Sequence, residues 1–436
     1  MAISNRVTSF FRLVENDSSV KTEVLAGITT FLTMSYVIFI NPAILAETGM
    51  DYGAVFVATC VAAAFGTLLM GLLANYPIAL APGMGLNAFF TYEVVLSLGK
   101  TWQVALGAVF VSGILFLVLS ILPVREWIMN SIPRSLKLAI SAGIGLFLAL
   151  LALKSAGIVV DHPATLVTLG DLTDIKVLLA AVGFLLIASL DHLRVPGAIV
   201  IGMLVVTFVG IITGVSEYDG VVSMPPSVSP TFMQMDIAGA LEFGMIGVIL
   251  AFLFVDIFDT AGTLIGVGHR AGLLDANGRL PRVSRALFSD SAATIAGATL
   301  GTSPVTSYIE SAAGVKAGGR TGLTAVVVAF LFLCCLVLFP LAATVKNYAT
   351  APALLFVACA MAQGFSEFDW SDSTEYLPAS ITAFAIPFTF SISTGVGFGF
   401  ITYAALKLLT GNAMKTSPAV FVIATIFLIH FVFGNA

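Results

Sequence analysis

Charged residues are scarce in this chain. Asp, Glu, Lys and Arg make up 10% of its 436 residues, whereas 58% are hydrophobic. A soluble globular domain carries about 25% charged residues. A composition so poor in charge excludes an ordinary soluble protein and indicates a membrane protein with many spans. The chain also lacks a polar stretch long enough for a separate soluble domain.

The chain has few residues of the kinds that metal sites, disulfide frameworks and hydrolytic enzymes need. It contains four cysteines and four histidines, and their spacing fits neither a metal site nor a disulfide framework. A P-loop is absent, which argues against an ATP-driven pump. No nucleophile–base set is recognisable, which argues against an enzyme. We expect no cofactor, no metal ion and no nucleic-acid partner.

Apolar runs recur along the chain, and most are long enough to cross a membrane. The first 20 residues are polar, so the run that begins near Val24 is expected to remain as an uncleaved first span. Fourteen spans are predicted, at 24–46, 53–75, 78–97, 102–122, 135–153, 175–190, 196–214, 243–266, 286–300, 302–315, 321–345, 350–364, 377–391 and 393–409. A last run, 417–433, is either an extra crossing or a helix at the interface.

The distribution of positive charge predicts the orientation. With the amino terminus in the cytoplasm, 15 of the 19 Lys and Arg residues fall on the cytoplasmic side, among them Arg125 and Arg279. Four fall outside: Lys100, Lys154, Lys176 and Lys346. Because cytoplasmic loops carry the excess of Lys and Arg, we expect a multi-pass protein of the cell membrane (inner or plasma membrane) with a cytoplasmic amino terminus.

Spans 3 and 10 do not have the pattern of ordinary membrane helices. NYPIALAPGMGLNAFFTY (75–92) and GTSPVTSYIESAAGVKAGG (301–319) each contain Pro and Gly first and a helix-competent part afterwards. Extended backbone in hydrocarbon leaves costly unpaired amides, so the two segments should pair with each other or line a cavity. Matched breaks in two halves of opposite orientation predict an inverted repeat with a substrate site near the midplane.

Three acids lie well inside predicted spans: Asp256 and Asp259 in span 8 and Glu310 in span 10. An acid at that depth is costly, and its default interpretation is functional. Asp256 and Asp259 are three residues apart, which places them on one helical face, where mutual repulsion should keep a proton on one of them. We therefore expect Asp256, Asp259 and Glu310 to serve proton coupling. Each acid could instead have a structural role and only accept hydrogen bonds from groups of the protein. This alternative stays open for Asp259 in particular. Glu93, near the end of span 3, is expected to reach the interface.

The residues around these acids indicate the kind of solute. Asn87 offers an amide, Tyr308 an aromatic ring, and the acids offer acceptors, while Lys and Arg are missing from the predicted midplane. Such a site suits a flat, neutral heterocycle with several N–H donors and suits an anion poorly. A channel is disfavoured, because two unlike broken helices do not form the repeated filter of a pore.

Three motifs resemble the signature segments of the AzgA-like hypoxanthine/guanine/adenine permeases, a branch of the nucleobase–cation symporter superfamily. They are APGMGLNAFF (81–90), FLFVDIFDTAGTLIGV (252–267) and GTSPVTSYIESAAGV (301–315). The resemblance implies an all-α polytopic membrane protein with 14 transmembrane segments in two inverted repeats of seven. It implies short antiparallel strands in spans 3 and 10, import of a purine by proton symport with alternating access, and a possible homodimer.

The resemblance also implies a domain organisation. After a cytoplasmic terminus (1–23), a core domain would comprise 24–122 and 243–345, and a gate domain would comprise 123–242 and 346–436.

Site residues follow from the same resemblance. The family's purine-binding acid falls on Asp256, its span 10 acid on Glu310, its span 3 polar residue on Asn87 and its span 10 aromatic residue on Tyr308. Asp259 matches a second acid of the family, and whether that acid binds substrate or has a structural role is open. Gly85 and Leu86, beside Asn87, complete the expected substrate site. Because a carboxylate only accepts hydrogen bonds, hypoxanthine and guanine are favoured over adenine. Uracil, xanthine or an organic anion is the alternative substrate.

Overall fold

The computed structural model describes residues 2–121, 133–275 and 280–433. Arg125, Arg279 and the predicted boundary between residues 122 and 123 lie outside the described residues. Nine helices in this part of the chain are both long and apolar enough to cross a membrane. The shorter segments between them complete the predicted set of spans.

The first seven spans follow the predicted order. They are Val20–Ala46, Tyr52–Ala74, strand β1 (Leu80–Pro82) with helical segments Met84–Ala88 and Phe89–Ser97, Trp102–Ile121, Arg134–Ser155, Ile175–His192 and Ala198–Ile212. Span 1 consists of two helices, Val20–Met34 and Val37–Ala46, and this break was not predicted. A hairpin of strands β2 (Val159–His162) and β3 (Leu166–Leu169) joins spans 5 and 6 and was also not predicted.

The second seven spans repeat this pattern. They are Phe243–Arg270, Val283–Leu300, strand β4 (Val305–Ser307) with helix Ser311–Lys316, Gly322–Thr344, Asn347–Glu367, Ser373–Thr389 and Ile392–Leu409. Two short helices, Ala2–Phe10 and Ile237–Ala240, lie outside the spans. The run 417–433 forms helix Pro418–Phe433, which packs on span 14 and also contacts span 8.

Strands β1 and β4 pair antiparallel at the centre of the molecule, as predicted for spans 3 and 10. Leu80 lies opposite Ser307, and Pro82 lies opposite Val305. Two further backbone bonds extend the ladder, since the Gly83 N–H donates to the Pro304 carbonyl at 3.0 Å and the Tyr308 N–H donates to the Ala79 carbonyl at 2.9 Å. The pairing satisfies amides that hydrocarbon would leave without partners.

The spans pack in two groups. Spans 1–4 and 8–11 pack mainly against one another, as do spans 5–7 and 12–14. Within the first group, spans 2 and 11 approach so closely that a Cβ at Gly322 would lie 2.0 Å from the Gly71 carbonyl oxygen. Spans 3 and 8 of the first group meet spans 5 and 14 of the second, and the broken segments lie beside this boundary.

Candidate functional site

Asn87 lies in the half-helix that follows β1, and its side chain is fully buried. Its amide nitrogen donates to Asn41 Oδ1 at 3.0 Å. Asn41 is itself held by the hydroxyls of Thr59 and Thr302 at 2.8 and 2.9 Å. The Asn87 Oδ1 atom has no hydrogen-bond partner among the described residues. The amide is therefore fixed in one orientation with its acceptor free.

Gly85 and Leu86 lie where span 3 meets span 5. A Cβ on Gly85 would lie 2.5 Å from Cγ2 of Ile144 in span 5, so the absence of a side chain permits this approach. Leu86 is buried. Both residues shape the wall behind Asn87.

Glu310 and Tyr308 come directly after β4, at the start of the half-helix Ser311–Lys316. Glu310 is half-buried, and the Tyr36 hydroxyl donates to its Oε1 at 2.7 Å. Tyr36 stands at the break in span 1, and its ring centroid lies 6.5 Å from that of Tyr308. The Tyr308 hydroxyl donates to the Pro82 carbonyl, so Tyr308 is tied to the strand pair.

Asp256 and Asp259 occupy different environments although they are three residues apart. Asp256 is 3% exposed, and the Thr294 hydroxyl lies 3.1 Å from its Oδ2. Asp259 is exposed, and one turn further on a Cβ at Gly262 would meet open space. Ile309, beside Glu310, is also exposed at 49%. An open face thus runs along the second half of span 8 next to Glu310.

Asp290 and Glu93 are buried acids that were not recognised as site candidates from the sequence. Asp290, in span 9, is 0% exposed and accepts a hydrogen bond from the Ser307 hydroxyl at 2.9 Å. Its position inside the predicted span 286–300 was an available signal. Glu93 is buried rather than interfacial, because it caps the amino terminus of span 14 through the Ile392 N–H and the hydroxyls of Ser391 and Ser393.

No buried Lys or Arg side chain lies in this region in the described part of the chain. Lys407 is the only buried Lys or Arg in the whole of that part, and it pairs with Glu375 at 2.7 Å. Among the same residues, no group of three or more His, Cys, Asp or Glu side chains could hold a metal ion. The arrangement presents acceptors and an aromatic ring, which suit hydrogen-bond donors of a neutral ligand.

The fold resembles that of solved membrane transporters. The transmembrane domain of a cyanobacterium bicarbonate transporter, BicA, superposes with a TM-score of 0.65 at 15% identity, covering 87% of this chain and 96% of that one. This likeness supports the predicted fold of two inverted repeats of seven spans.

Curated relatives match this chain over almost its full length. A putative permease of Methanocaldococcus jannaschii is 52% identical over 98% of both chains. The adenine permease AdeP of Escherichia coli is 48% identical, covering 98% of this chain and 96% of the relative. The guanine/hypoxanthine permease PbuO of Bacillus subtilis is 44% identical, covering 96% and 99%. These matches confirm the resemblance seen in the three motifs. Residues 21–398 match the Permease family Xan_ur_permease, and the chain belongs to this family of membrane permeases.

Proposed function

We propose that this protein imports a purine nucleobase together with a proton, by alternating access. The observation that carries the proposal is the open face beside Glu310, where exposed Asp259 and half-buried Glu310 offer acceptors and where buried Lys and Arg are lacking among the described residues. A purine is neutral, flat and rich in N–H donors. The names of the relatives, adenine and guanine/hypoxanthine permeases, support the same class of substrate.

Asn87, Glu310, Tyr308 and Asp259 form the proposed nucleobase site, with Gly85 and Leu86 beside Asn87. The resemblance places Asp256 there as well, but in this structure Asp256 is 3% exposed and lies against Thr294, so we propose Asp259 and Glu310 as the acids that contact the base. The free Oδ1 of Asn87 accepts one N–H of the base, and the carboxylates accept others. Hypoxanthine and guanine carry an N–H at ring position 1, where adenine carries only an acceptor nitrogen. Because a carboxylate accepts hydrogen bonds and does not donate them, hypoxanthine and guanine are the preferred substrates. Uracil, xanthine or an organic anion is the alternative, and competition distinguishes them.

The proposed cycle moves the core domain (24–122 and 243–345) against the gate domain (123–242 and 346–436). The separate packing of the two groups of spans supports this division. With residues 1–23 in the cytoplasm, the open face of span 8 leads to the cytoplasmic side, and Glu93 joins spans 3 and 14 on the opposite side. We infer from this orientation that the structure represents an inward-facing state. The proposal includes a homodimer formed through the gate domain, which cross-linking in membranes tests.

Uptake of labelled hypoxanthine tests the proposal in cells that lack their own purine carriers. Guanine, adenine, xanthine and uracil serve as competitors, and uptake is measured with and without a protonophore. We expect competition by guanine and loss of accumulation with the protonophore. Uptake that no purine inhibits would refute the substrate, and uptake that needs sodium and ignores the protonophore would refute proton coupling.

Replacement of Glu310 tests the site itself. Glu310→Gln turns one acceptor into a donor, so the apparent affinity for hypoxanthine should fall at least about tenfold, in line with about 1.5–3 kcal/mol for a hydrogen bond to a charged group. Glu217→Gln makes the same chemical change in an exposed loop and should leave uptake unchanged. Equal hypoxanthine affinities of the two variants would show that Glu310 does not bind the substrate.

A further inference from the structure

A second pair of acids is buried beside strand β4. Asp256 in span 8 and Asp290 in span 9 are 3% and 0% exposed. Each keeps one oxygen without a hydrogen-bond partner among the described residues, Oδ1 of Asp256 and Oδ2 of Asp290. Buried polar atoms are almost always satisfied, so two free carboxyl oxygens at neighbouring positions call for a ligand.

Both carboxyl groups are joined to β4 by hydroxyl groups. The Ser307 hydroxyl donates to Asp290 Oδ1 at 2.9 Å. The Thr294 hydroxyl lies 3.1 Å from Asp256 Oδ2 and accepts the Val305 N–H at 3.2 Å. The two acids are therefore connected to both ends of β4.

The middle of β4 completes this connection. The hydroxyls of Thr306 and Thr260 lie 2.9 Å apart, and they neighbour the carboxyls of Asp256 and Asp290, respectively. Tyr308 and Glu310, which face the proposed nucleobase site, follow β4 directly. A change of charge at the pair would thus reach the nucleobase site through three consecutive strand residues.

Electrostatics restricts what the pair can hold. The charged groups that act on the pair are themselves acids, Asp259 on span 8 directly and Glu310 on span 10 through Asp259. The other titratable groups beside Asp259 and Glu310 are the phenols of Tyr308 and Tyr36. No buried Lys or Arg in the described ranges is near enough to compensate, since Lys407 is paired elsewhere. Two unpaired anions in a dry interior are strongly unfavourable, and neighbouring carboxyl groups relieve this by sharing a proton.

We propose that the Asp256–Asp290 pair binds the coupling cation, a proton, at a site separate from the nucleobase site. This inference rests on the proposed symport. A proton adds to one carboxylate oxygen, forming one O–H bond and changing the charge of the pair from −2 to −1, and leaves on the other side of the membrane. Mg²⁺ and Ca²⁺ take six or more oxygen ligands, whereas a proton needs only the two free carboxyl oxygens found here among the described residues.

Transport by the purified protein in proteoliposomes tests the pair. Two activities are compared for Asp290→Asn, counterflow exchange of labelled hypoxanthine and its accumulation driven by an imposed pH gradient. The variant should lose accumulation at least tenfold more than counterflow, because exchange needs no net proton movement. Asp219→Asn, in an exposed loop, is the matched control, and Asp290→Glu should recover part of the accumulation.

The outcomes separate this inference from the proposed function. A wild-type protein without counterflow of any purine refutes the proposed function. A wild-type protein with counterflow, together with unchanged pH-driven accumulation in Asp290→Asn, refutes only the coupling pair. Accumulation driven by a sodium gradient, and not by a pH gradient, would show that sodium is the coupling cation and would refute the proposal of a proton.

Ser307→Ala is a second variant that keeps both acids. It tests the pair even where Asp290→Asn does not fold. Loss of the donated hydrogen bond destabilises the carboxylate, so protonation should occur at higher pH. Half-maximal uptake should then require a proton concentration about threefold lower than in the wild type. An unchanged pH dependence in folded Ser307→Ala protein would overturn the inference.

Discussion

Glu93 offers a test of how the two groups of spans are held together. Its carboxylate is 2% exposed and accepts the Ile392 N–H and the hydroxyls of Ser391 and Ser393, at the amino terminus of span 14. An acid in this position also suits the positive end of the helix dipole. Glu93→Ala removes all three acceptor contacts at once.

The expected loss of stability depends on whether each hydrogen-bond donor finds another acceptor once Glu93 is removed. The Ser391 hydroxyl has Thr394 Oγ1 at 2.7 Å and Ser393 Oγ at 3.2 Å as other partners, so these hydroxyls can bond to one another. The Ile392 N–H has no such substitute and would be left unsatisfied, at about 1–3 kcal/mol. Adding the lost packing of a buried side chain, we expect the free energy of unfolding to fall by about 3 kcal/mol.

Thermal stability in detergent, measured by size-exclusion chromatography after heating, checks this value. The apparent melting temperature of Glu93→Ala should fall by about 3 °C. Glu47→Ala is the matched control, because exposed Glu47 accepts one bond, from the Tyr92 hydroxyl at 3.0 Å, and its loss should cost less than about 1 kcal/mol. Equal melting temperatures for the two variants would show that Glu93 does not hold span 14 in place.

Two further replacements test the close packing of spans and the geometry of the site. Gly322→Ala should lower the apparent melting temperature, since the new Cβ would lie 2.0 Å from the Gly71 carbonyl oxygen and overpacking costs about 1–3 kcal/mol. Gly262→Ala meets open space and should leave the melting temperature unchanged, and a loss equal to that of Gly322→Ala would contradict this. Tyr36→Phe removes the 2.7 Å bond to Glu310 and should weaken apparent hypoxanthine affinity about five- to tenfold at an unchanged maximal rate. An unchanged affinity would mean that Tyr36 does not position Glu310.

The spans were predictable because the bilayer sets the length of an apolar run. Spans 3 and 10 were predictable as broken segments, since Pro and Gly punctuate them and their unpaired amides need partners. The break in span 1 was not predictable in this way, because neither Pro nor Gly stands at Ser35 and Tyr36. The turn there is accompanied by a tertiary contact, the bond from Tyr36 to Glu310, which a single sequence does not display.

Within the candidate site, the sequence predicted which residues lie near the broken segments better than it predicted which side chains are buried. Asn87, Tyr308 and Glu310 could be placed because each adjoins a broken segment. The spacing of Asp256 and Asp259 predicted one shared face, but span 9 covers Asp256 and leaves Asp259 exposed. Helical spacing defines the angle between two side chains, whereas burial depends on which neighbour packs over each of them. Asp290, which comes from that covering span, was overlooked for the same reason.

The difference in exposure gives the acids different chemical capacities. An exposed carboxylate such as Asp259 is open to solvent or ligand, and a carboxylate that water can reach exchanges that water for the N–H groups of an entering ligand at little cost. A buried carboxyl such as Asp256 is shielded from solvent, and binding a proton removes the charge that burial makes unfavourable. Both kinds of acid lie around β4, with Asp256 and Asp290 joined to its hydroxyl groups and Glu310 directly after it. In the proposed symport, this shared strand would let protonation on one side change the position of acceptors on the other, which is the physical requirement for coupling two ligands that do not touch.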